Sequence, residues 1–259
     1  MKKMLDFTVI ENKKLNESNF QLKLTPKDGV KLSEMEPGQF VEVFVEDSPN
    51  TFLRRPISVN FVETDKNILW LLVQAIGNGT RTMSRYKAGD NVNLLVPLGK
   101  GFSLSSEKGR KCLLIGGGVG TAPLLYLGYH LKRNGQKPVF LLGARSKDDL
   151  TQLDEFQKYG EVLCTTEDGS FGEKGYVTNH STLQKERFSI IYTCGPKPMM
   201  QAVAKYAQEN EIECEASLEN MMACGIGACL CCVEKTTKGN VCVCTEGPVF
   251  NIKKLTWIN

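Results

Sequence analysis

The chain has 259 residues, of which 41% are hydrophobic, 24% are charged and ten are cysteine, and its formal net charge is +3. This length can bury a good core and accommodates two compact domains. The small net charge, with basic and acidic residues interspersed, does not favour a nucleic-acid partner. No apolar run approaches the ~18 residues of a membrane helix, and the first residues lack the apolar core of a signal peptide. We therefore expect a cytoplasmic protein with neither a membrane nor a nucleic-acid partner.

Short apolar runs bounded by turn residues predict antiparallel β-structure in residues 1–103. The runs include Phe40–Val45, Ile57–Val62 and Ile68–Ile76. Several strands at this spacing are typical of a small closed barrel. A helix of one or two turns is predicted over residues 81–86.

Two polar segments in this part of the chain are candidate anion-binding sites. The first begins at Arg54 and Arg55, where an arginine fork suits a pyrophosphate and Ser58 could hydrogen-bond a ring nitrogen. The second, Gly77–Thr80, precedes the predicted helix and could face the same pyrophosphate. A solvated edge-strand arginine and an ordinary turn would explain either segment taken alone.

After residue 104 the pattern changes to strands alternating with helices, which is typical of a doubly wound parallel sheet. Predicted strands occupy Lys111–Ile115, Pro138–Gly143, Glu161–Thr165 and Phe188–Thr193. Two of them end in glycine motifs that open helices, and such turns aim backbone N–H groups at phosphates. The first motif departs from the strict GxGxxG pattern. The candidate dinucleotide contacts are Gly116, Gly117, Gly118, Gly120, Thr121, Cys194, Gly195 and Pro196.

Cysteines dominate residues 217–259, the third predicted unit. Cys224-x4-Cys229-x2-Cys232 with a distant fourth cysteine is the ligand spacing of a plant-type [2Fe–2S] cluster. A zinc site built from Cys229, Cys232, Cys242 and Cys244 is the alternative. The remaining cysteines stand in apolar or strand-like surroundings and are expected in the core; they are Cys112, Cys164, Cys194 and Cys214.

Taken in order, these motifs resemble the ferredoxin–NADP reductase superfamily. The stretches Ser217–Cys229 and Cys244–Phe250 resemble the electron-transfer subunits of dihydroorotate dehydrogenase B more specifically. The resemblance implies a multidomain α/β plus β fold: a flavin-binding barrel (1–103), a nucleotide domain (104–216) and a [2Fe–2S] arm (217–259). It implies FAD contacts from Arg55, Pro56, Ile57, Ser58, Leu72, Val73, Gln74, Gly79 and Thr80. It also implies the cluster ligands Cys224, Cys229, Cys232 and Cys244, with Cys231 and Cys242 as departures from the family pattern.

The same resemblance implies a function in pyrimidine biosynthesis. Electrons would pass from dihydroorotate to FMN in a partner subunit, then through the cluster and FAD to NAD⁺, in a heterotetramer with two copies of each subunit. The enzymatic alternative is a related subunit of a hydrogenase, a sulfide dehydrogenase or a bifurcating transhydrogenase. The non-enzymatic alternative is a zinc-stabilised nucleotide-binding regulator. Four cysteine ligands, with no aspartate substituting, argue against the bifurcating kind.

Two further expectations concern individual residues. The chain has only two histidines, His130 and His180; each is expected to be a surface or capping residue, so no catalytic residue is assigned. Arg145 could meet a ribose 2′-phosphate, but Asp148 and Asp149 would repel it, which favours NAD over NADP.

Overall fold

The computed structural model describes residues 2–32 and 34–257, and their amino-terminal part is a closed antiparallel barrel. Its strands are β1 (Lys3–Lys14), β2 (Asn19–Pro26), β3 (Phe40–Val43), β4 (Arg55–Glu63), β5 (Ile68–Gln74) and β6 (Asn91–Leu98), in the order β1-β2-β5-β4-β3-β6. One short helix, α1 (Asn78–Met83), follows β5. The predicted barrel is confirmed. The helix begins three residues before the predicted position because Thr80 caps it from within, accepting the Gly77 N–H at 3.0 Å.

Alternation of side chains along the strands decides what the barrel encloses. On β3, Val41 and Val43 belong to the barrel core. Phe40 points the other way and joins a second apolar cluster that contains Cys232 and Cys244. Glu42 lies between the two valines and is also completely buried. The outer face of β3 is therefore covered by another part of the chain.

The second unit is a seven-stranded sheet with helices around it. Its strands are β7 (Lys111–Gly117), β8 (Lys137–Ala144), β9 (Glu161–Thr166), β10 (Glu173–Lys174), β11 (Ile190–Cys194), β12 (Glu213–Ser217) and β15 (Val249–Asn251). The helices are α2 (Ala122–Arg133), α3 (Leu153–Gln157), α4 (Thr182–Lys185) and α5 (Lys197–Glu209). The order β10-β9-β8-β7-β11-β12-β15 changes direction between β7 and β11. In doubly wound sheets, ligands bind at this position.

The barrel and the sheet meet at α2. The Phe61 ring on β4 packs 5.4 Å from the ring of Tyr126 and 5.2 Å from that of Tyr129. Beside them, the buried Asn60 side chain donates to the Ala122 carbonyl at 3.0 Å and accepts from Gln152 at 2.9 Å. Buried amides hold one geometry because an unpaired one is costly. This contact fixes the first turn of α2, and hence the glycine turn before it, against the barrel.

The cysteine-rich arm is built from the hairpin β13 (Val233–Thr236) and β14 (Gly239–Cys242), followed by α6 (Val243–Glu246) and then β15. β15 pairs with β12 in antiparallel register, with Ala216 opposite Phe250. The sequence pattern did not predict that this segment completes the sheet. The divisions after residues 103 and 216 remain predictions. No helix in the described part of the chain is long and apolar enough to cross a membrane.

Candidate functional site

The four cysteines with cluster spacing come together in the folded chain. Cys224 is half-buried and Cys229 is exposed, whereas Cys232 and Cys244 are buried. Cys224 and Cys229 belong to the same loop, and Cys232 and Cys244 join one buried apolar cluster. The Cys244 amide also donates to Cys232 Sγ at 3.4 Å. Four cysteines gathered in this way suit a [2Fe–2S] cluster, in which each of two irons takes two protein ligands.

The electrostatics of the cysteine loop, residues 224–232, favour metal binding. Burial opposes ionisation of Cys224, but hydrogen bonds from the backbone N–H groups of Ile226, Cys229 and Ala228 lower its pKa to about 6. Burial, together with the Cys232 thiol, raises the pKa of Cys244 to about 12. A coordinating metal ion deprotonates a thiol outright. The buried Cys244 thiol therefore suits a metal ligand rather than a free reactive group.

A single-ion site is not supported by the geometry. Among residues 2–32 and 34–257, no three His, Cys, Asp or Glu side chains are placed as the ligands of one metal ion. The zinc alternative therefore lacks a ligand set among these residues. The four scattered cysteines, Cys112, Cys164, Cys194 and Cys214, are buried as predicted.

A carboxyl group that sequence reasoning missed lies between the barrel and the cysteine loop. Glu42 is fully buried, and neither carboxyl oxygen has a hydrogen-bond partner among the described residues. Burial raises its pKa to about 7, although Arg55 and Arg54 oppose the rise. An orphaned buried carboxyl is costly. Such a group is typical of a site whose ligand supplies the missing partner.

The predicted flavin contacts meet at one end of the barrel. The antiparallel β4 and β5 bring the start of one strand beside the end of the other, and α1 follows directly. The side chains of Arg55 through Ser58 are half-buried, as is that of Gln74. Leu72 and Val73 are almost completely buried, at 2% and 1% exposure.

The structure assigns different roles to the adjacent arginines. Arg54 donates to the Asn93 carbonyl at 3.1 Å and to the Glu42 carbonyl at 3.3 Å, so it joins strands of the barrel. Arg55 instead packs on Gly79, where an added Cβ would lie 3.3 Å from its side chain. Its only hydrogen bond within the described residues runs from Nε to the Arg54 carbonyl. The Arg55 guanidinium thus remains available to an anion.

Thr80 contributes less to this surface than the sequence suggested. Its hydroxyl accepts from the Ile76 N–H at 3.1 Å and from the Gly77 N–H at 3.0 Å, and it lies 3.2 Å from the Gly77 carbonyl. The hydroxyl therefore shapes the turn before α1. Thr80 would therefore contact a ligand through its backbone.

A cleft of about 840 Å³ lies at the switch point of the sheet and extends to the barrel. Its volume suits a dinucleotide-sized ligand. Gly118 has φ +56°, and an added Cβ would meet nothing within 4 Å, so its backbone faces open space. The predicted contacts on the cleft wall are Gly117, Gly118, Gly120, Gly195 and Pro196.

Close packing of the two glycine turns explains the rest of the motif. A Cβ on Gly120 would lie 2.4 Å from Gly195 Cα, so β7 and β11 could not end side by side with larger residues. Gly116 is equally confined, because its Cβ would lie 2.8 Å from Thr121 Cγ2. Gly116, Thr121 and Cys194 lie behind the cleft wall, and Cys194 is 1% exposed. They support the turns rather than face the cleft.

The far end of the cleft carries charges of both signs. Arg145 and Asp149 both line it, together with Glu167. The Ser146 hydroxyl donates to Asp149 Oδ2 at 3.1 Å, which fixes that carboxylate. Asp148 does not line the cleft. Acidic side chains at this position favour an unphosphorylated ribose.

Neither histidine lies in these sites. His180 Nδ1 accepts the Thr182 N–H at 3.1 Å, which is the predicted capping role. His130 is half-buried against Tyr126, with ring centroids 4.5 Å apart, and burial lowers its pKa. It is therefore a packed residue rather than a surface one.

Comparison with known families agrees with this geometry. The model for the iron–sulfur cluster binding domain of dihydroorotate dehydrogenase B matches residues 219–256, which include Cys224, Cys229, Cys232 and Cys244. The oxidoreductase NAD-binding domain model matches residues 114–205. The electron-transfer subunit of dihydroorotate dehydrogenase B (NAD⁺) from Lysinibacillus sphaericus is 40% identical and aligns over 93% of this chain and 94% of its own. The chain belongs to this family.

A second electron-transfer subunit of dihydroorotate dehydrogenase B, from Fusobacterium nucleatum, is 38% identical over 96% of both chains. Among solved structures, the fold matches a chain of an NADH-dependent reduced ferredoxin–NADP oxidoreductase, described for flavin-based electron bifurcation. The TM-score is 0.86 at 30% identity, covering 97% of this chain and 90% of that one. The ferredoxin reductase of carbazole 1,9a-dioxygenase shares the fold at a TM-score of 0.67 and 20% identity, over 82% of this chain and 67% of that one.

Proposed function

We propose that this chain is the electron-transfer subunit of an NAD-dependent dihydroorotate dehydrogenase complex in pyrimidine biosynthesis. One observation supports this most directly: the cysteine loop packs against β3, the strand paired with the predicted flavin strand β4. A cluster site and a flavin site that share a wall suit transfer between the two groups. The nucleotide cleft reaches the same barrel, where it includes Gln74.

The residues present fit the three groups that such a function requires. FAD would be held by Arg55, Pro56, Ile57, Ser58, Leu72, Val73, Gln74, Gly79 and Thr80. The cluster would be held by Cys224, Cys229, Cys232 and Cys244, and NAD by the glycine turns of β7 and β11. When bound, flavin exchanges hydride with nicotinamide two electrons at a time, whereas the cluster carries one electron.

The chain's own residues bind and orient these groups. Arg55 offers a free guanidinium to an anion, and the turns at Gly118 and Gly195 offer backbone to phosphates. Cys232 and Cys244 lie buried, which keeps water from that side of the cluster site. No side chain near the cleft is arranged as a histidine-based proton relay among the described residues. Proton removal from dihydroorotate is therefore assigned to a separate catalytic subunit.

The proposed partner is an FMN-containing dihydroorotate dehydrogenase subunit, in a cytoplasmic heterotetramer with two copies of each chain. The carboxyl end of the cysteine loop exposes Leu230, at 66%, and Met221 just before the loop is 83% exposed. Large apolar side chains this exposed are typical of surfaces that meet another protein. A transhydrogenase role is the second candidate, favoured by the likeness to the ferredoxin–NADP oxidoreductase structure.

Co-purification with the products of neighbouring genes tests the proposal. We expect a stoichiometric flavin-enzyme partner, flavin and iron–sulfur absorbance, and reduction of NAD⁺ that depends on dihydroorotate. Cys229→Ser should abolish this electron transfer, whereas Cys214→Ser, in the core of the sheet, should retain it. Flavin and cluster absorbance without dihydroorotate activity would reject the proposed reaction and favour the transhydrogenase role.

A further inference from the structure

Two cysteines near the cluster site have no role in the proposed ligand set. Cys231 lies inside the cysteine loop and is exposed, whereas Cys242 ends β14 and is half-buried. Cys242 packs against the buried apolar cluster that contains Cys232 and Cys244. The structure therefore separates these cysteines: Cys231 is exposed, whereas Cys242 packs beside two proposed ligands.

The hairpin fixes this placement through the backbone. Val233, which follows Cys232, pairs with Cys242 across β13 and β14. The next amide, that of Val243, donates to the Cys232 carbonyl at 3.0 Å. The amide of Cys244 then donates to Cys232 Sγ at 3.4 Å. Cys242 and Cys244 thus flank Val243, whose amide is hydrogen-bonded to Cys232.

The two thiols differ in their surroundings. Cys244 is 0% exposed and belongs to the apolar cluster with Phe40 and Leu98, whereas Cys242 is only partly covered. Solvent exposure and nearby hydrogen bonds set the potential and spectrum of an iron–sulfur cluster. Exchange of one thiol for the other would therefore leave a measurable signature.

We propose that Cys242 is a reserve ligand, which binds the cluster in place of Cys244 when the Cys244 thiolate is absent or dissociates. This inference rests on the proposed function, because it assumes that the chain carries a [2Fe–2S] cluster. In such an exchange the Cys242 thiol would lose a proton as it became a ligand, the freed Cys244 thiolate would take up a proton, and no electron would be transferred. The short path along Val243 lets the exchange occur with little backbone movement.

The test uses the full chain co-expressed with its partner subunit. Cys244→Ala and Cys244→Val each remove the fourth ligand, and valine also refills the buried site. We expect either variant to retain at least about half of the wild-type iron and sulfide, with an altered electron paramagnetic resonance spectrum. Adding Cys242→Ala should lower the cluster content at least about tenfold, whereas adding Cys231→Ala, the matched control, should leave it unchanged.

A second measurement leaves the buried site intact. Cluster loss in the presence of a chelator should be at least about threefold faster in Cys242→Ala than in wild type, and unchanged in Cys231→Ala. Equal rates in all three proteins would overturn the proposal, as would a Cys244 variant that binds FAD stoichiometrically but contains no iron. Absence of a cluster from the wild-type complex would instead reject the proposed function itself.

Discussion

The side chain of Glu42 on β3 packs directly against Gly225 of the cysteine loop. A Cβ added to Gly225 would lie 2.8 Å from Glu42 Cγ and 3.0 Å from Leu98 Cδ1. Gly225 also has φ +65°, a conformation that side-chain-bearing residues rarely adopt. The barrel and the cluster site therefore meet at a point where only glycine fits.

Gly225→Ala should displace the cysteine loop, because neither the backbone nor Leu98 can move away without cost. We expect the cluster content to fall several-fold and the protein to lose about 2 kcal/mol or more of stability, combining backbone strain and overpacking. Iron analysis and thermal unfolding measure the two effects. Gly29→Ala is the control, since Gly29 has φ +68° with open space around it. Equal losses in both variants would show that strain alone is responsible.

The pKa of Glu42 predicts a dependence of stability on pH. Burial raises this pKa from 4.5 to about 7, so the folded protein holds the proton more tightly than the unfolded chain. The resulting stability is fully present below about pH 4.5 and is lost as the pH rises through about 7.

The loss amounts to about 3 kcal/mol at ~1.4 kcal/mol per pH unit. Relative to Glu42→Gln, the wild-type free energy of unfolding should decrease by this amount between pH 4.5 and pH 8, in proteins of equal cofactor content. Urea denaturation at both pH values measures it. As a control, Glu161→Gln changes an exposed residue, and its free energy of unfolding should depend on pH as that of the wild type does. Identical pH slopes in the wild type and Glu42→Gln would contradict the assignment.

Replacing each adjacent arginine separates anion binding from barrel structure. Arg55→Leu should weaken FAD binding about 10- to 100-fold, because a charge-assisted hydrogen bond contributes ~1.5–3 kcal/mol. Arg54→Leu should have an affinity for FAD closer to that of the wild type. It should unfold at a lower temperature, since Arg54 joins β3 to β6. Flavin retention during gel filtration and isothermal titration of FAD into stripped protein distinguish them. If Arg54→Leu lost more FAD than Arg55→Leu, Arg54 rather than Arg55 would be the anion-binding residue.

Asp149 should contribute to the choice of nicotinamide cofactor. Its carboxylate lines the cleft beside Arg145, where it would repel a 2′-phosphate. We expect Asp149→Asn to lower the ratio of kcat/KM for NADH over NADPH about tenfold, which corresponds to ~1.4 kcal/mol. Steady-state reduction of a dye by each cofactor gives the ratio. Asp154→Asn, on α3 and outside the cleft wall, should leave the ratio unchanged.

The sequence predicted the architecture because each unit has a local pattern. Apolar runs between turns predicted the barrel, and alternating strands and helices predicted the parallel sheet; the structure places the glycine turn after Lys111–Ile115 at the switch point. Cysteine spacing predicted the loop that the structure brings together. These signals lie within about ten residues of one another, so a single chain can reveal them.

Tertiary contacts account for what the sequence did not reveal. Val41-Glu42-Val43 alternates like a strand with one face in water, so Glu42 reads as a solvated residue; the arm that buries it comes from residues about 180 positions away. β15 is too short to predict, and its pairing with β12 depends on the path of the arm. The sequence Arg54-Arg55 does not show which of the two guanidinium groups hydrogen-bonds to the barrel strands.

The arm is attached at both ends of the molecule's electron path. β15 is hydrogen-bonded to the sheet through β12, Gly225 rests on the barrel, and Lys100 pairs with Glu246 of α6 at 2.8 Å. A hinge motion between the barrel and the sheet would have to distort this arm, which is attached to both. A rotation of the nucleotide domain relative to the barrel would therefore have to break the β12–β15 pairing, the Gly225 contact or the Lys100–Glu246 ion pair.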